Sequence, residues 1–186
     1  MNFQTHPRVR KFFSYYKPYL GLFLADMACA LIVSAITLAI PLCIRYITKN
    51  LLEVHSPEAL SQIYMMGGVM LTLVAVYTAC HAFVDYKGHM MGAMMEADMR
   101  TELFDHYQKL SFKFYDEHKT GQLMTRITND SFDLAELYHH GPEDIVISFL
   151  NFIGAFTILI MINVKLAFIA FLFLPIMGIY GFYFSK

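Results

Sequence analysis

Long apolar blocks alternate with polar segments along this chain, and the blocks have the length of membrane crossings. Met27–Ile44 runs 18 residues without a charged side chain, Ala59–Val84 runs 26, Ile145–Val164 runs 20 and Leu166–Phe184 runs 19. A helix needs roughly 20 apolar residues to cross a hydrocarbon core of about 30 Å. Within lipid such a helix satisfies its own backbone hydrogen bonds. The pattern therefore predicts four transmembrane helices: 19–47, 60–84, a third whose membrane part is 145–164, and 166–186. A soluble helical core has no need of four blocks this long.

A polar excursion, Asp85–Asp144, separates the second block from the third. Asp85–Leu110 contains no proline and is rich in Ala, Met, Glu, Leu and Lys, all good helix formers. Apolar residues recur at helical spacing at Met91, Met94/Met95, Met99, Leu103, Phe104, Tyr107 and Leu110. The second helix is thus expected to continue through 85–110, an extension of about 39 Å at 1.5 Å per residue. The chain breaks over 111–121, then reads helical again, with Leu123, Ile127, Leu134, Tyr138, Gly141 and Ile145 on one face of a third helix spanning 122–164. Thr120 is expected as its N-cap and Gly121 as a permissive turn residue. Pro142 is expected to kink the return helix. Asn163-Val-Lys165 makes a minimal turn, and Ser56-Pro57 punctuates the Thr48–Gln62 loop. The expected fold is an all-α polytopic membrane protein. Two of its four transmembrane helices, the second and third, extend as twin rods joined by a short helical connector.

Charge sets the orientation. Arg8, Arg10, Lys11 and Lys17 precede the first block with no acidic residue before Asp26, so the positive-inside rule keeps the N-terminus and the long excursion in the cytoplasm. Phe12, Phe13, Tyr15, Tyr16 and Tyr19 interleave these cations, and residues 1–18 read as a basic-aromatic elbow lying in the headgroup layer until the chain turns at Pro18. The composition, 57% hydrophobic and 16% charged, excludes an ordinary soluble domain, and the net charge of −1 gives no electrostatic case for nucleic acid. Cys29, Cys43 and Cys80 all fall within apolar blocks at unrelated spacings, the usage of small packing residues and not of a disulfide framework or metal site.

The candidate chemistry is mechanical. Phe114-Tyr115, followed by Asp116-Glu117-His118-Lys119, stands farthest from the membrane, and exposed aromatics at such a place call for a protein pocket to receive them. Arg126 and Asp130 are spaced i, i+4 for a helical ion pair, with Asn129 beside them. Asp26 lies about two turns into the first helix, where it either faces a substrate path or snorkels to the inner interface. His81, Asp85 and His89 share a helical face beside Met90, Met91, Met94, Met95 and Met99. The methionines read as packing filler and not as a metal route, and adjacent His139-His140 point apart on a helix, so no metal site is expected. No nucleophile triad or catalytic carboxylate pair stands out.

The stretch Leu110-Ser-Phe-Lys-Phe-Tyr-Asp-Glu-His-Lys-Thr-Gly-Gln-Leu-Met-Thr-Arg-Ile-Thr-Asn-Asp130, with Pro175 inside the last block, resembles the transmembrane domain of type IV ATP-binding-cassette (ABC) exporters. The elbow, the small outer loops and the long helix pair are similar too, so the resemblance covers nearly the whole chain. It implies that Phe114–Lys119 form a coupling helix docked in a groove of a nucleotide-binding domain. It implies that Gly121 marks the turn into the third transmembrane helix, and that Arg126, Asn129 and Asp130 hold loop and helices in register. It also implies a second half-transporter, identical or different, and a multi-pass location in the cell membrane. A half-transporter in that family carries six membrane helices and then an ATPase. No Gly-x-x-x-x-Gly-Lys-Ser/Thr phosphate loop occurs in these 186 residues. The chain is therefore expected to be a non-enzymatic part of a half-transporter, not competent for transport alone, with ATP and Mg2+ assigned to a domain beyond it. Two other readings stay open: a four-helix membrane scaffold or sensor whose rods dock a cytoplasmic partner, and a piece of a secondary carrier. The inverted repeats and mid-membrane helix breaks of carriers are not evident here.

Overall fold

The computed structural model describes residues 7–53 and 59–184, with side chains from Arg10 onward. The Ser56-Pro57 turn, the Arg8 side chain and Lys186 lie outside the described residues. Every regular element among the described residues is helical. Helix α1 (Pro7–Ser14) and a 3-10 turn (Lys17–Tyr19) lead into α2 (Leu20–Tyr46), which ends in a π-helical turn (Ile47–Leu52). Helix α3 (Ala59–Tyr107) is a single rod of 49 residues, about 74 Å long, more than twice a hydrocarbon core. A six-residue helix, α4 (Phe112–Glu117), sits at its end. The return rod comprises α5 (Thr120–Thr125), a π-helical turn (Arg126–Asp130) and α6 (Ser131–Ile162). Helix α7 (Val164–Phe184) closes the described chain.

Four stretches among these are long and apolar enough to cross a membrane. Large apolar side chains such as Leu71, Phe149, Phe173 and Ile179 remain exposed along them, as helices facing lipid require. Helices α2, α3 and α6 pack on one another, and α7 packs against α6.

Local chemistry explains the breaks. Asn163 adopts an extended conformation (φ −162°, ψ 107°) between α6 and α7. Its Oδ1 accepts from the backbone N–H of Lys165 (3.0 Å) and Leu166 (3.3 Å), an N-cap for α7. The break before α5 differs from the sequence expectation. His118 and Lys119 are extended, Lys119 occupies the cap position, and Thr120 is the first helical residue with no side-chain cap. Gly121 is inside α5, and no described residue, glycine included, has positive φ. The turn therefore uses extended backbone that any residue adopts, and Gly121 is not needed to make it.

Helix α6 runs through Pro142 without interruption. A proline has no N–H to give the carbonyl four residues back, here that of Tyr138. The Tyr16 hydroxyl donates to that carbonyl oxygen at 2.8 Å, from a ring that is itself buried. The elbow thereby supplies the bond that the proline removes.

Candidate functional site

Two regions carry polar or exposed groups that packing alone does not explain: the tip of the twin rods, and a polar cluster where α2, α3 and α6 meet.

At the tip, Tyr115 donates its hydroxyl to the Tyr107 carbonyl at 2.5 Å. Phe114 stacks on His118 with ring centroids 4.0 Å apart, and the His118 Nδ1 lies 2.8 Å from the Phe114 carbonyl. Both aromatics are therefore half-buried, Tyr115 against the end of α3 and Phe114 against His118, whereas Phe112 is 91% exposed. The protruding aromatic of α4 is Phe112, ahead of the expected pair. Its place in the sequence, directly after the break at Ser111, is the local signal for it. Asp116, Glu117, His118 and Lys119 are exposed, and Glu117 pairs with Lys113 at 3.8 Å.

The expected Arg126–Asp130 ion pair does not form among the described residues. These residues sit in a π-helical turn, whose wider winding moves residues four apart off a common face. Asn129 accepts instead from its neighbour Thr128, Oγ1 to Oδ1 at 3.1 Å. The link between the rods comes from Arg100, whose guanidinium donates to the Thr128 carbonyl (3.4 Å) and pairs with Glu96 (2.5 Å). Sequence reasoning missed Arg100 because nothing local marks its distant carbonyl partner.

The elbow packs on the rods. Lys11 forms an ion pair with Glu102, Tyr15 donates to the same carboxylate, and Tyr19 donates to Asp98 at 2.7 Å. Hydrogen bonds from Lys11 and then from Tyr15 hold the Glu102 carboxyl below its ordinary range, while burial and then that carboxylate raise the Tyr15 hydroxyl. Phe12 stacks on Tyr138 at 4.3 Å. Tyr16, Met91, Met95, Met99, Ala135 and Tyr138 form one buried core. The methionine stripe is thus core, and most elbow aromatics are spent on protein contacts, although Phe13 stays 63% exposed. Beside this core a cavity of about 820 Å³ opens between elbow and rods, with Arg126 and Asp130 on its wall.

The second region is set by a close approach of α3 and α6. Gly88 lies so near the His139 ring that a Cβ there would collide with it, and a Cβ on Gly92 would meet His139 Cβ at 3.5 Å. Gly88 and Gly92 form the small-xxx-small spacing that lets membrane helices approach closely, a signal available in the sequence and not used. This contact brings together rings expected to diverge. His89 lies 4.7 Å from His139 and 5.2 Å from His140, and the adjacent pair sits at 4.3 Å. Successive helical residues differ by about 100°, and His89 sits where both rings reach it. Beside them Asp26 is 1% exposed, so it does not snorkel, and it stands with His139 and Glu143 in a wholly buried group. His81, Asp85, His139, His140 and Glu143 border a cavity of about 440 Å³. Both His-containing triads, His89/His139/His140 and Asp26/His139/Glu143, have donor atoms within 4.8 Å of one another.

Comparison with known proteins agrees with this architecture. The family described as ABC transporter transmembrane region matches residues 23–186. The chain is 42% identical over 181 residues to an uncharacterized ABC transporter ATP-binding protein, YwjA, of Bacillus subtilis, covering 96% of this chain and 30% of that protein. It is 24% identical over 174 residues to a putative multidrug export ATP-binding/permease protein, YgaD, also of Bacillus subtilis, covering 92% and 30%. A putative multidrug export ATP-binding/permease protein of Staphylococcus aureus is 24% identical over 181 residues, covering 94% and 31%. The chain thus spans about 30% of the length of these relatives.

Proposed function

Because this chain belongs to the ABC transporter transmembrane region family and is a multi-pass membrane protein, we propose that it is the membrane-spanning part of an ATP-driven exporter. On this reading α4 is the coupling helix. Phe112, with Phe114–Lys119 behind it, enters a groove of a nucleotide-binding domain that holds ATP and Mg2+. The elbow and the rods then lie in the cytoplasm, and the first helices pair with those of a second half-transporter, identical or different. The exported compounds are of the multidrug class named for two of the relatives.

The observation that carries this reading is the tip. Two helices run far past the length a bilayer needs, and they end in a short helix whose first residue, Phe112, is 91% exposed. An exposed aromatic this far from lipid is stabilised by burial in a partner. Arg100, through the Thr128 carbonyl, keeps the two rods in register in this scheme, with Arg126, Asn129 and Asp130 in or beside the turn it holds, so that a push on α4 moves both together. The test is the Phe112→Cys variant of the assembled transporter, reacted with a short bifunctional crosslinker in inverted membrane vesicles. The expected product joins the tip to an ATP-binding domain, and Phe112→Ala lowers substrate-stimulated ATP hydrolysis while leaving α2–α7 helicity intact. Labelling of that thiol only from the external face, or no crosslink to an ATP-binding domain, would refute the reading.

A further inference from the structure

The buried group at the α2–α6 contact has a composition that the exporter reading leaves unused. Asp26 is about 9 Å along α2 from its first residue, and α6 contributes His139 and, one turn on, Glu143. The three residues are 1%, 2% and 8% exposed. Both Asp26 carboxylate oxygens, His139 Nδ1 and Glu143 Oε2 are buried without a hydrogen-bond partner among the described residues. The His139 Nδ1 and Glu143 Oε2 stand 3.9 Å apart, too far for a hydrogen bond and close enough to share an ion. Unpartnered polar atoms are rare in protein interiors and call for an explanation. Two carboxylates on neighbouring helices, with no lysine or arginine paired to either among the described residues, need positive charge or protons.

We infer that Asp26, His139 and Glu143 bind one divalent first-row transition-metal ion of the zinc class. Imidazole and carboxylate suit such an ion, and the absence of thiolate or thioether donors from the triad argues against soft monovalent copper. Zinc bonds of about 2.0–2.2 Å place tetrahedral ligand atoms about 3.4 Å apart, and the donors here lie within 4.8 Å of one another, close to that spacing. His139 and Glu143 also border the 440 Å³ cavity, which supplies an approach for the ion and room for a water in the fourth position. His140 borders the same cavity and His89 packs on its ring at 5.2 Å, both outside the proposed ligand set. The bound ion ties α2 to α6.

The test uses the protein in detergent micelles after chelator treatment, titrated with Co2+ and then Zn2+. The expected result is one saturable equivalent, visible Co2+ bands of a low-coordinate site, and displacement by Zn2+. Asp26→Asn and His139→Gln each weaken Zn2+ binding by about 100-fold or more, beyond what loss of an outer-shell partner costs, whereas Asp144→Asn and His89→Ala stay within a few-fold. X-ray absorption of the Co2+-loaded unmutated protein reads one imidazole and two carboxylates directly, so a variant that misfolds does not decide the matter. Absence of saturable uptake, or uptake indifferent to both Asp26→Asn and His139→Gln, overturns the site. Loss of binding in His89→Ala with retention in Asp26→Asn also overturns it, by moving the ion to the outer histidines.

Discussion

The bond from the Tyr16 hydroxyl to the Tyr138 carbonyl should be worth much more with a proline at position 142 than without one. In an ordinary helix the Tyr138 carbonyl would receive the N–H of residue 142, and Pro142 has none. Tyr16→Phe keeps the buried ring and removes only the donor, leaving a carbonyl in a region where Tyr16 is 7% and Tyr138 2% exposed. An orphaned buried acceptor costs about 1–3 kcal/mol. In a Pro142→Ala background the helix N–H returns and satisfies the carbonyl. There Tyr16→Phe should cost no more than the net value of one hydrogen bond, about 0.5–1.5 kcal/mol. The two substitutions should therefore couple by about 0.5–1.5 kcal/mol in a double-mutant cycle. The chain has no Trp and 12 Tyr, so near-ultraviolet circular dichroism reports tyrosine packing during a denaturant titration in micelles. Equal Tyr16→Phe penalties in the parent and in the Pro142→Ala background would refute the proline-compensation argument.

Three further outcomes follow from the same packing. Met95, fully buried in the elbow–rod core, should cost about 2–5 kcal/mol when changed to Ala, whereas Met65, 64% exposed, should change unfolding by no more than about 0.5 kcal/mol. Gly88→Ala should destabilise by about 1–3 kcal/mol through overpacking against the His139 ring, and the penalty should shrink when His139→Ala is added; undiminished loss in the double variant would show that the glycine acts otherwise. Glu102, with its carboxyl held low by Lys11 and Tyr15, stabilises the elbow fully above the ordinary carboxylate pKa of about 4.3. That contribution fades as pH falls through the lowered folded value. The pair's side chains are 59% and 50% exposed, so the effect stays under about 1 kcal/mol, and limited proteolysis of the N-terminus against pH should show it lost in Glu102→Gln.

Part of the candidate site was legible one residue at a time. Asp26 stood out because a carboxylate two turns into an apolar block is expensive wherever it points. The tip stood out because helical periodicity stops at Ser111 and resumes after Lys119. What the Asp26 carboxylate points at was not legible, since His139 and Glu143 lie far away along the chain. The same separation hid the Tyr16 hydroxyl from the carbonyl that Pro142 leaves bare. The divergence expected of His139 and His140 failed: their ring centroids are 4.3 Å apart, and His89 on another rod lies within 5.2 Å of both. The Arg126–Asp130 pair failed because a π-helical turn is not visible in side-chain spacing.

The amino-acid sequence alone determined the number of membrane helices, their lengths and the place of the long polar excursion. Lipid offers the backbone no partners, so an apolar block of sufficient length has to become a helix whatever its neighbours are. Tertiary structure alone decided which faces meet. Lipid is as apolar as the helices, so no hydrophobic side sorts them, and association follows shape and buried polar groups. The fit of Gly88 under the His139 ring, and the gathering of Asp26, His139 and Glu143 that comes with it, exist only once α2, α3 and α6 have packed.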